Sequence, residues 1–216
     1  MQYIVKKAPG KVTLSAPWDD PVWSCANTAK LEFKLDETCE FHPEVECKFL
    51  YDGEFLYGMY SVKDKYVQAV AKRDQAQVSR DACVEFFIQP KGCPRYFNFE
   101  FSGNGRLLVY NNVHLRSGDY TKIPLRELTK VKRFHTLPDR VFPEVEDEVH
   151  WRLAFAIPLD FFVKYASIDK ELSGQVWHGN FTKCADHSSH FHWLSWCKLP
   201  IFDFHYPQAY EEIVFE

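Results

Sequence analysis

Phenylalanines alternate strictly with polar residues in the segment FNFEFS, residues 97–102. Successive side chains of a β-strand point to opposite faces, so this pattern predicts a strand with one apolar and one polar face. A second segment, HWRLAFAI at residues 150–157, repeats the alternation. The residues predicted to be buried are Phe97, Phe99, Phe101, Trp151, Leu153 and Phe155.

Turn signals separate these aromatic-rich runs. Asp52-Gly53 lies between KFLY and EFLYGMYSV, and Asp-Gly supplies the backbone angles of a tight hairpin. Gly103-Asn104-Gly105 predicts the next turn, and Pro158 ends the strand before LDFFVKY, which predicts a short helical turn. Aromatic residues make up 17% of the 216 residues, which favours strands.

No long amphipathic helix interrupts this pattern, so the predicted fold is all-β: an antiparallel two-sheet β-sandwich, jelly-roll-like. Residues 111–147 are polar and weakly periodic, and they predict a long irregular excursion. No boundary separates two cores. We therefore predict a single domain over residues 1–216.

Composition excludes several partners. The formal net charge is −4 and no long Lys/Arg block occurs, which argues against nucleic acid. No apolar segment is long enough to span a bilayer, so no membrane partner is predicted. The first residues, MQYIVKKAPGKV, lack the apolar stretch of a secretory signal. This predicts a cytoplasmic location if the chain is complete, and a secreted or periplasmic one if a signal has been removed.

Three polar residues on adjacent predicted strands form the first candidate site: Glu85, Asn98 and Glu100. A carboxylate accepts two hydrogen bonds and a carboxamide donates and accepts, which suits the hydroxyl groups of a sugar. Alternatively, these residues are the ordinary polar face of a half-exposed sheet. The two glutamates also allow a glycosidase acid and nucleophile, although the sequence does not fix their separation.

Tryptophans and histidines cluster near the end of the chain. Trp193 and Trp196 lie in a polar segment, where an exposed indole would form a flat platform for a sugar ring; alternatively, these indoles pack in the core of the sandwich. The spacing of Cys184, His187, His190 and His192 matches no common structural zinc pattern, so hydrogen-bonding loop histidines are preferred to a zinc site. The sequence leaves the metal content unknown.

Several strings resemble the family-9 carbohydrate-binding modules, in the order in which the family has them. These strings are VKDKYVQAV, DACVEFFIQP, YFNFEFSGNGRLL, WRLAFAIP and GNFTKCADHSSHFHWLSWCKLPIFDFHYPQAYEEIVFE. The resemblance implies a β-sandwich that binds glucan, xylan or related sugars between aromatic side chains. It also implies a link to glycoside hydrolases and, as in some members, allows structural calcium.

When the family's binding positions are carried over through the matching motifs, the resemblance implies six carbohydrate-binding candidates: Trp196, Glu85, Asn98, Glu100, Asn180 and Lys183. It predicts that the Trp196 indole lies at the sandwich edge, near Glu85 and Asn98, facing solvent. Typical members carry a second tryptophan just ahead of the DACVE block. This chain has Val78 and Ser79 there, which departs from a two-sided aromatic clamp.

The predicted function is non-catalytic carbohydrate binding, of glucan- or xylan-type sugars in polysaccharide breakdown, with glycoside hydrolases as partners. Neither a nucleophile elbow nor a nucleotide-binding loop is present in the sequence, so no enzyme is predicted. Two alternatives stay open at this point. One is a glycoside hydrolase using Glu85 and Glu100, and the other is an interaction domain whose sugar site has degenerated.

Overall fold

A computed structural model describes residues 1–36, 38–114, 116 and 118–216. Within these ranges, sixteen strands and two short α-helices form the regular structure. The strands of the first half are β1 (Gln2–Lys7), β2 (Thr28–Lys30), β3 (Phe33–Lys34), β4 (Glu44–Tyr51), β5 (Phe55–Asp64), β6 (Val67–Ala69), β7 (Cys83–Gln89) and β8 (Tyr96–Ser102). The remaining elements are β9 (Leu107–His114), β10 (Asp119–Lys122), α1 (Leu125–Leu128), β11 (Lys132–His135), β12 (Val141–Val145), β13 (Val149–Pro158), α2 (Leu159–Ala166), β14 (Val176–Cys184), β15 (Trp193–Ser195) and β16 (Glu211–Phe215).

Two large sheets share the first strand. The first sheet has the order β10-β9-β8-β7-β14-β16-β1, and the second has the order β1-β4-β5-β13-β11. Residues 2–5 of β1 pair with β16, and Lys6 and Lys7 pair with β4, both in parallel. The other strand pairs are antiparallel. The predicted antiparallel β-sandwich is therefore confirmed, with β1 as its parallel exception.

Aromatic side chains fill the space between the two sheets. Phe49 stacks on Phe181 at a ring-centroid distance of 4.5 Å, and Phe101 stacks on Phe155 at 4.5 Å. The six residues predicted to be buried from their alternation are all fully buried: Phe97, Phe99, Phe101, Trp151, Leu153 and Phe155. Each such ring contributes about 1.5–3 kcal/mol by leaving water, so this layer stabilises the contact between the sheets.

The stretch 111–147 is more regular than predicted, since it contains β10, α1, β11 and β12. Leu115 and Ser117, within it, lie outside the described residues. All four residues of β10 are exposed, so the sequence carries no apolar alternation that would reveal this strand. The helical turn predicted at LDFFVKY is α2, which begins after Pro158 and ends where Ser167 adopts a φ of 55°.

No helix of the described residues is long and apolar enough to cross a membrane. The seven cysteines are free thiols, and four of them are buried: Cys47, Cys83, Cys184 and Cys197. The single domain over residues 1–216 stays a prediction.

Candidate functional site

A groove of about 320 Å³ opens on the face of the first sheet that points away from the aromatic core. Its floor comes from β7, β8, β9 and β14, and its walls come from the start of β15 and from the segments that flank these strands. The floor residues are Glu85, Glu100, Leu108, Tyr110 and Cys184, and the wall residues are Gln77, Ser79, Arg116, Asp186, Trp193, Asp203, Phe204 and His205.

Strand alternation places the two glutamates in this groove. Phe86 and Phe99 point into the core, so their neighbours Glu85 and Glu100 point to the opposite face. The two glutamates also lie directly opposite each other in the β7–β8 register. The structure thus brings together two predicted site residues that are 15 positions apart in the sequence. Both are more buried than ordinary residues of a solvent-facing sheet, at 4% and 8% exposure.

Each glutamate is held by a neighbour. The Thr182 hydroxyl donates a hydrogen bond to Oε2 of Glu85 at 2.7 Å, and Nδ2 of Asn98 donates to Oε1 of Glu100 at 2.6 Å. Burial raises the pKa of the Glu85 carboxyl group. Burial and the nearby Glu85 together raise the pKa of Glu100 well above its ordinary range. The pair therefore retains a proton to higher pH than free carboxyl groups do, and it presents both donor and acceptor oxygens.

Asn98 lies beside Glu100 on the same face of β8 but does not line the groove. Its side chain is fully buried, and its Oδ1 accepts a hydrogen bond from Nδ2 of Asn112 at 2.8 Å. Because its Nδ2 is committed to Glu100, Asn98 fixes the orientation of that carboxyl group.

The prediction of an exposed Trp196 is wrong. Its indole is 6% exposed and packs in the core, edge-on to Tyr3 at 6.1 Å and tilted against Phe181 at 4.9 Å. The cause is the alternation along β15 and the residue that follows it, since the Trp196 amide still donates to the Phe181 carbonyl oxygen of β14 at 2.9 Å. Trp193 lies opposite Cys184 on the groove face, and a residue three positions later points to the other face.

Trp193 instead supplies the aromatic wall of the groove. It is partly exposed, and its Nε1 donates to Oδ1 of Asp186 at 2.8 Å. Its ring stacks on Phe202 at a centroid distance of 4.3 Å and an interplanar angle of 9°. Val78, in the segment ahead of β7, is buried, whereas Gln77 and Ser79 line the groove. The groove wall therefore includes an aromatic side chain and two polar residues.

The two other residues carried over by motif do not line the groove. Asn180 is fully buried and accepts a hydrogen bond from the Cys197 amide at 2.9 Å, so it holds the chain that follows β15. Lys183 lies between two groove-face residues of β14 and therefore points to the opposite side. Its Nζ donates to Nε2 of His192 at 2.8 Å and lies 3.4 Å from Oδ2 of Asp64. Both residues have structural roles in this fold.

Sequence reasoning missed the charged wall of the groove. Arg116 forms a two-pronged ion pair with Asp203, at 2.7 Å and 2.8 Å. The Tyr96 hydroxyl lies 2.9 Å from Nδ1 of His205, and burial lowers the pKa of this histidine to about 4. Arg116 and Asp203 are 87 positions apart and belong to no shared motif, so no local sequence signal could have paired them.

The histidines near the end of the chain do not gather around a metal position among the described residues. His192 contacts Lys183, and His190 stacks on Tyr66 at a centroid distance of 3.6 Å. These contacts favour the interpretation as hydrogen-bonding and packing histidines.

Comparison with known proteins agrees with this architecture. The model of carbohydrate-binding family 9 matches residues 25–215. Among solved structures, a protein from Bacteroides uniformis described as carbohydrate-binding is 30% identical, with a TM-score of 0.88 over 100% of this chain and 99% of that chain. No curated protein sequence matches the chain.

Two more distant structures share the fold. Both are family-9 carbohydrate-binding modules from Caldicellulosiruptor kristjanssonii. One, in complex with cellotriose, is 12% identical with a TM-score of 0.66, over 100% of this chain and 94% of that chain. The other, in complex with glucose, is 13% identical with a TM-score of 0.64, over 100% and 96%. The match over residues 25–215 shows that this chain belongs to carbohydrate-binding family 9, a family of non-catalytic binding modules.

Proposed function

We propose that the groove above Glu85 and Glu100 binds glucan- or xylan-type sugars. The observation that carries this proposal is the arrangement of three side chains. Two buried carboxyl groups lie opposite each other on the groove floor, and the partly exposed Trp193 forms the adjoining wall.

The chemistry of these groups suits a neutral sugar. Sugar hydroxyls both donate and accept hydrogen bonds, and a carboxyl pair that retains a proton does the same. The apolar C–H face of a pyranose ring packs against an indole such as that of Trp193. Gln77 and Ser79 add an amide and a hydroxyl among the residues that line the groove. A sugar ring in this groove would therefore have one stacked face and one hydrogen-bonded edge.

The size of the groove supports a short ligand. Its volume of about 320 Å³ is at the lower end of the roughly 300–1,000 Å³ usual for small-molecule sites. The related modules from Caldicellulosiruptor kristjanssonii are in complex with cellotriose and glucose. For this chain we infer binding of a few sugar units, such as the end of a polysaccharide chain.

We also infer a role in polysaccharide breakdown beside glycoside hydrolases, and family membership supports this role. The test is a hydrolase digestion of insoluble xylan or cellulose with the protein added. The role is supported if the wild-type protein changes the release of sugar and the Trp193→Ala variant does not. Equal release with and without the wild-type protein would contradict it.

Calorimetric titration with glucose, cellobiose, xylose and xylobiose tests the binding itself. We expect saturable binding of at least one of these sugars, with a Kd from micromolar to millimolar, and weaker binding by Glu100→Ala. This substitution removes the carboxyl group, and with it both the donor and the acceptor oxygens, from the groove floor. Absence of binding to all four sugars by the folded wild-type protein would contradict the proposal and favour a degenerate interaction domain.

A further inference from the structure

Two thiols lie beside Glu85 at one end of the groove floor. Cys83 and Cys184 are directly opposite in the β7–β14 register, and Glu85 follows two residues after Cys83 on the same face. The two Sγ atoms and a carboxylate oxygen of Glu85 all lie within 4.8 Å of one another. Among the described residues, this is the one group of three or more His, Cys, Asp or Glu side chains that converges in this way.

The separation of Cys184 and Glu85 is that of two ligands on one metal ion. Sγ of Cys184 lies 3.4 Å from Oε1 of Glu85. In tetrahedral zinc coordination, with Zn–S near 2.3 Å and Zn–O near 2.0–2.2 Å, a sulfur and an oxygen ligand are about 3.5 Å apart. The observed separation therefore matches that of a sulfur and an oxygen ligand on one ion.

The other contacts of the two thiols are weak. Cys83 Sγ lies 3.8 Å from the carbonyl oxygen of Val84, and Cys184 Sγ lies 3.7 Å from that of Ser79. Both thiols and the Glu85 carboxyl group are buried, so water does not compete strongly for them. A cation would thus replace long sulfur contacts with short bonds.

We propose that Cys83, Cys184 and Glu85 form a binding site for a thiophilic divalent cation of the Zn²⁺ class. Sulfur ligands select such ions over calcium or magnesium, which prefer oxygen. The hydrogen bond from Thr182 to Oε2 of Glu85 leaves Oε1 for the ion and fixes the carboxylate plane, as groups around zinc sites commonly do.

The fourth coordination position opens to the groove. Glu85 and Cys184 both line the groove, whereas Cys83 is fully buried behind them. Three protein ligands and an accessible fourth position leave room for a water molecule on the ion. The site would therefore place a bound cation within the floor of the groove.

Cobalt titration of the reduced, metal-free protein tests this site. Co²⁺ bound to two thiolates gives a charge-transfer band in the near ultraviolet, and Zn²⁺ added afterwards should remove it. We expect one equivalent of Co²⁺ per chain. Cys83→Ser and Cys184→Ser should each weaken binding at least tenfold and diminish the band. Cys25→Ser, which removes an exposed thiol elsewhere, is the matched control and should bind as the wild type does.

Thermal melting covers the case in which a cysteine variant folds poorly. An ion that binds only the folded state raises Tm, so Zn²⁺ should raise the Tm of the wild type and of Cys25→Ser, but not that of Cys184→Ser. The proposal is overturned if the reduced wild type takes up no Co²⁺, or if both groove cysteine variants retain the band. A Cys83–Cys184 disulfide in the isolated protein, together with no metal uptake after reduction, would also overturn it. Sugar titration of the metal-free wild type tests the proposed function separately.

Discussion

Trp193→Ala and Trp196→Ala should affect different properties, because the Trp193 indole lines the groove, whereas the Trp196 indole, one residue past the end of β15, packs in the core. Trp196 is 6% exposed and packs against Tyr3 and Phe181, so its truncation leaves a cavity in the core. Truncating a buried tryptophan costs about 3–5 kcal/mol of stability. For a chain of this length, each kcal/mol lowers Tm by about 2–4 °C, so we expect a fall of about 6–20 °C.

Trp193→Ala should instead affect ligand binding. If a sugar covers about 40–80 Å² of the exposed indole, the apolar contact contributes about 1–2 kcal/mol, at roughly 25 cal/mol per Å². This free energy corresponds to a fivefold to thirtyfold weaker affinity. The stability cost should be about 1–3 kcal/mol, because the variant loses the stacking on Phe202, which is itself half exposed, and the hydrogen bond to Asp186.

Melting curves and cellobiose titrations of both variants, beside the wild type, measure the two effects. The folded fraction of Trp196→Ala, studied well below its Tm, should bind cellobiose with wild-type affinity. The reasoning is refuted if Trp196→Ala binds weakly while its Tm is unchanged. It is also refuted if the wild type binds cellobiose and Trp193→Ala binds it equally tightly.

Three further outcomes concern stability. Lys183→Ala should lower the free energy of unfolding by about 3–5 kcal/mol, because it leaves the buried Asp64 carboxylate without its cation. Sugar affinity at 15 °C should not change. An unchanged denaturant unfolding curve would contradict this prediction. Hydrogen bonds from Lys130 and Lys164 lower the pKa of Glu127 to about 2. Because the folded-state pKa is depressed, this stabilisation is complete above the unfolded pKa of about 4.5 and is lost as the pH falls towards 2. Glu127→Gln should therefore cost about 1 kcal/mol at pH 7 and little at pH 2.5, and equal costs at both pH values would argue against the ion pairs. Finally, calorimetric unfolding should show a single transition for the whole chain, and two resolved transitions would contradict the prediction of a single domain.

Period-2 alternation predicted most of what the structure shows of the sandwich. It identified the burial of Phe97, Phe99 and Phe101, and it put Glu100 on the polar face of β8, which is the groove face. The same rule, applied to β15, would have separated Trp193 from Trp196. The family motif was preferred there, and a motif does not say to which face of the sheet a side chain points.

The rest of the groove depended on contacts between distant segments. The Arg116–Asp203 ion pair joins two loops whose sequences carry no periodicity, so only the folded chain brings them together. Lys183 shows a different limit. Its position within a recognisable motif indicated a ligand contact, whereas the structure shows its amino group buried against Asp64 and His192.

The shared strand β1 has a consequence for how the chain folds. Its residues 2–5 pair with residues 212–215, so the link between the two sheets joins positions about as far apart in sequence as the chain allows. Contacts of such high sequence separation carry the largest loop-closure entropy and form slowly. We therefore expect the hairpin of β4 and β5 to form early. The joining of the sheets through β1 and β16 would come late in folding, and until then both sheets would keep an open edge.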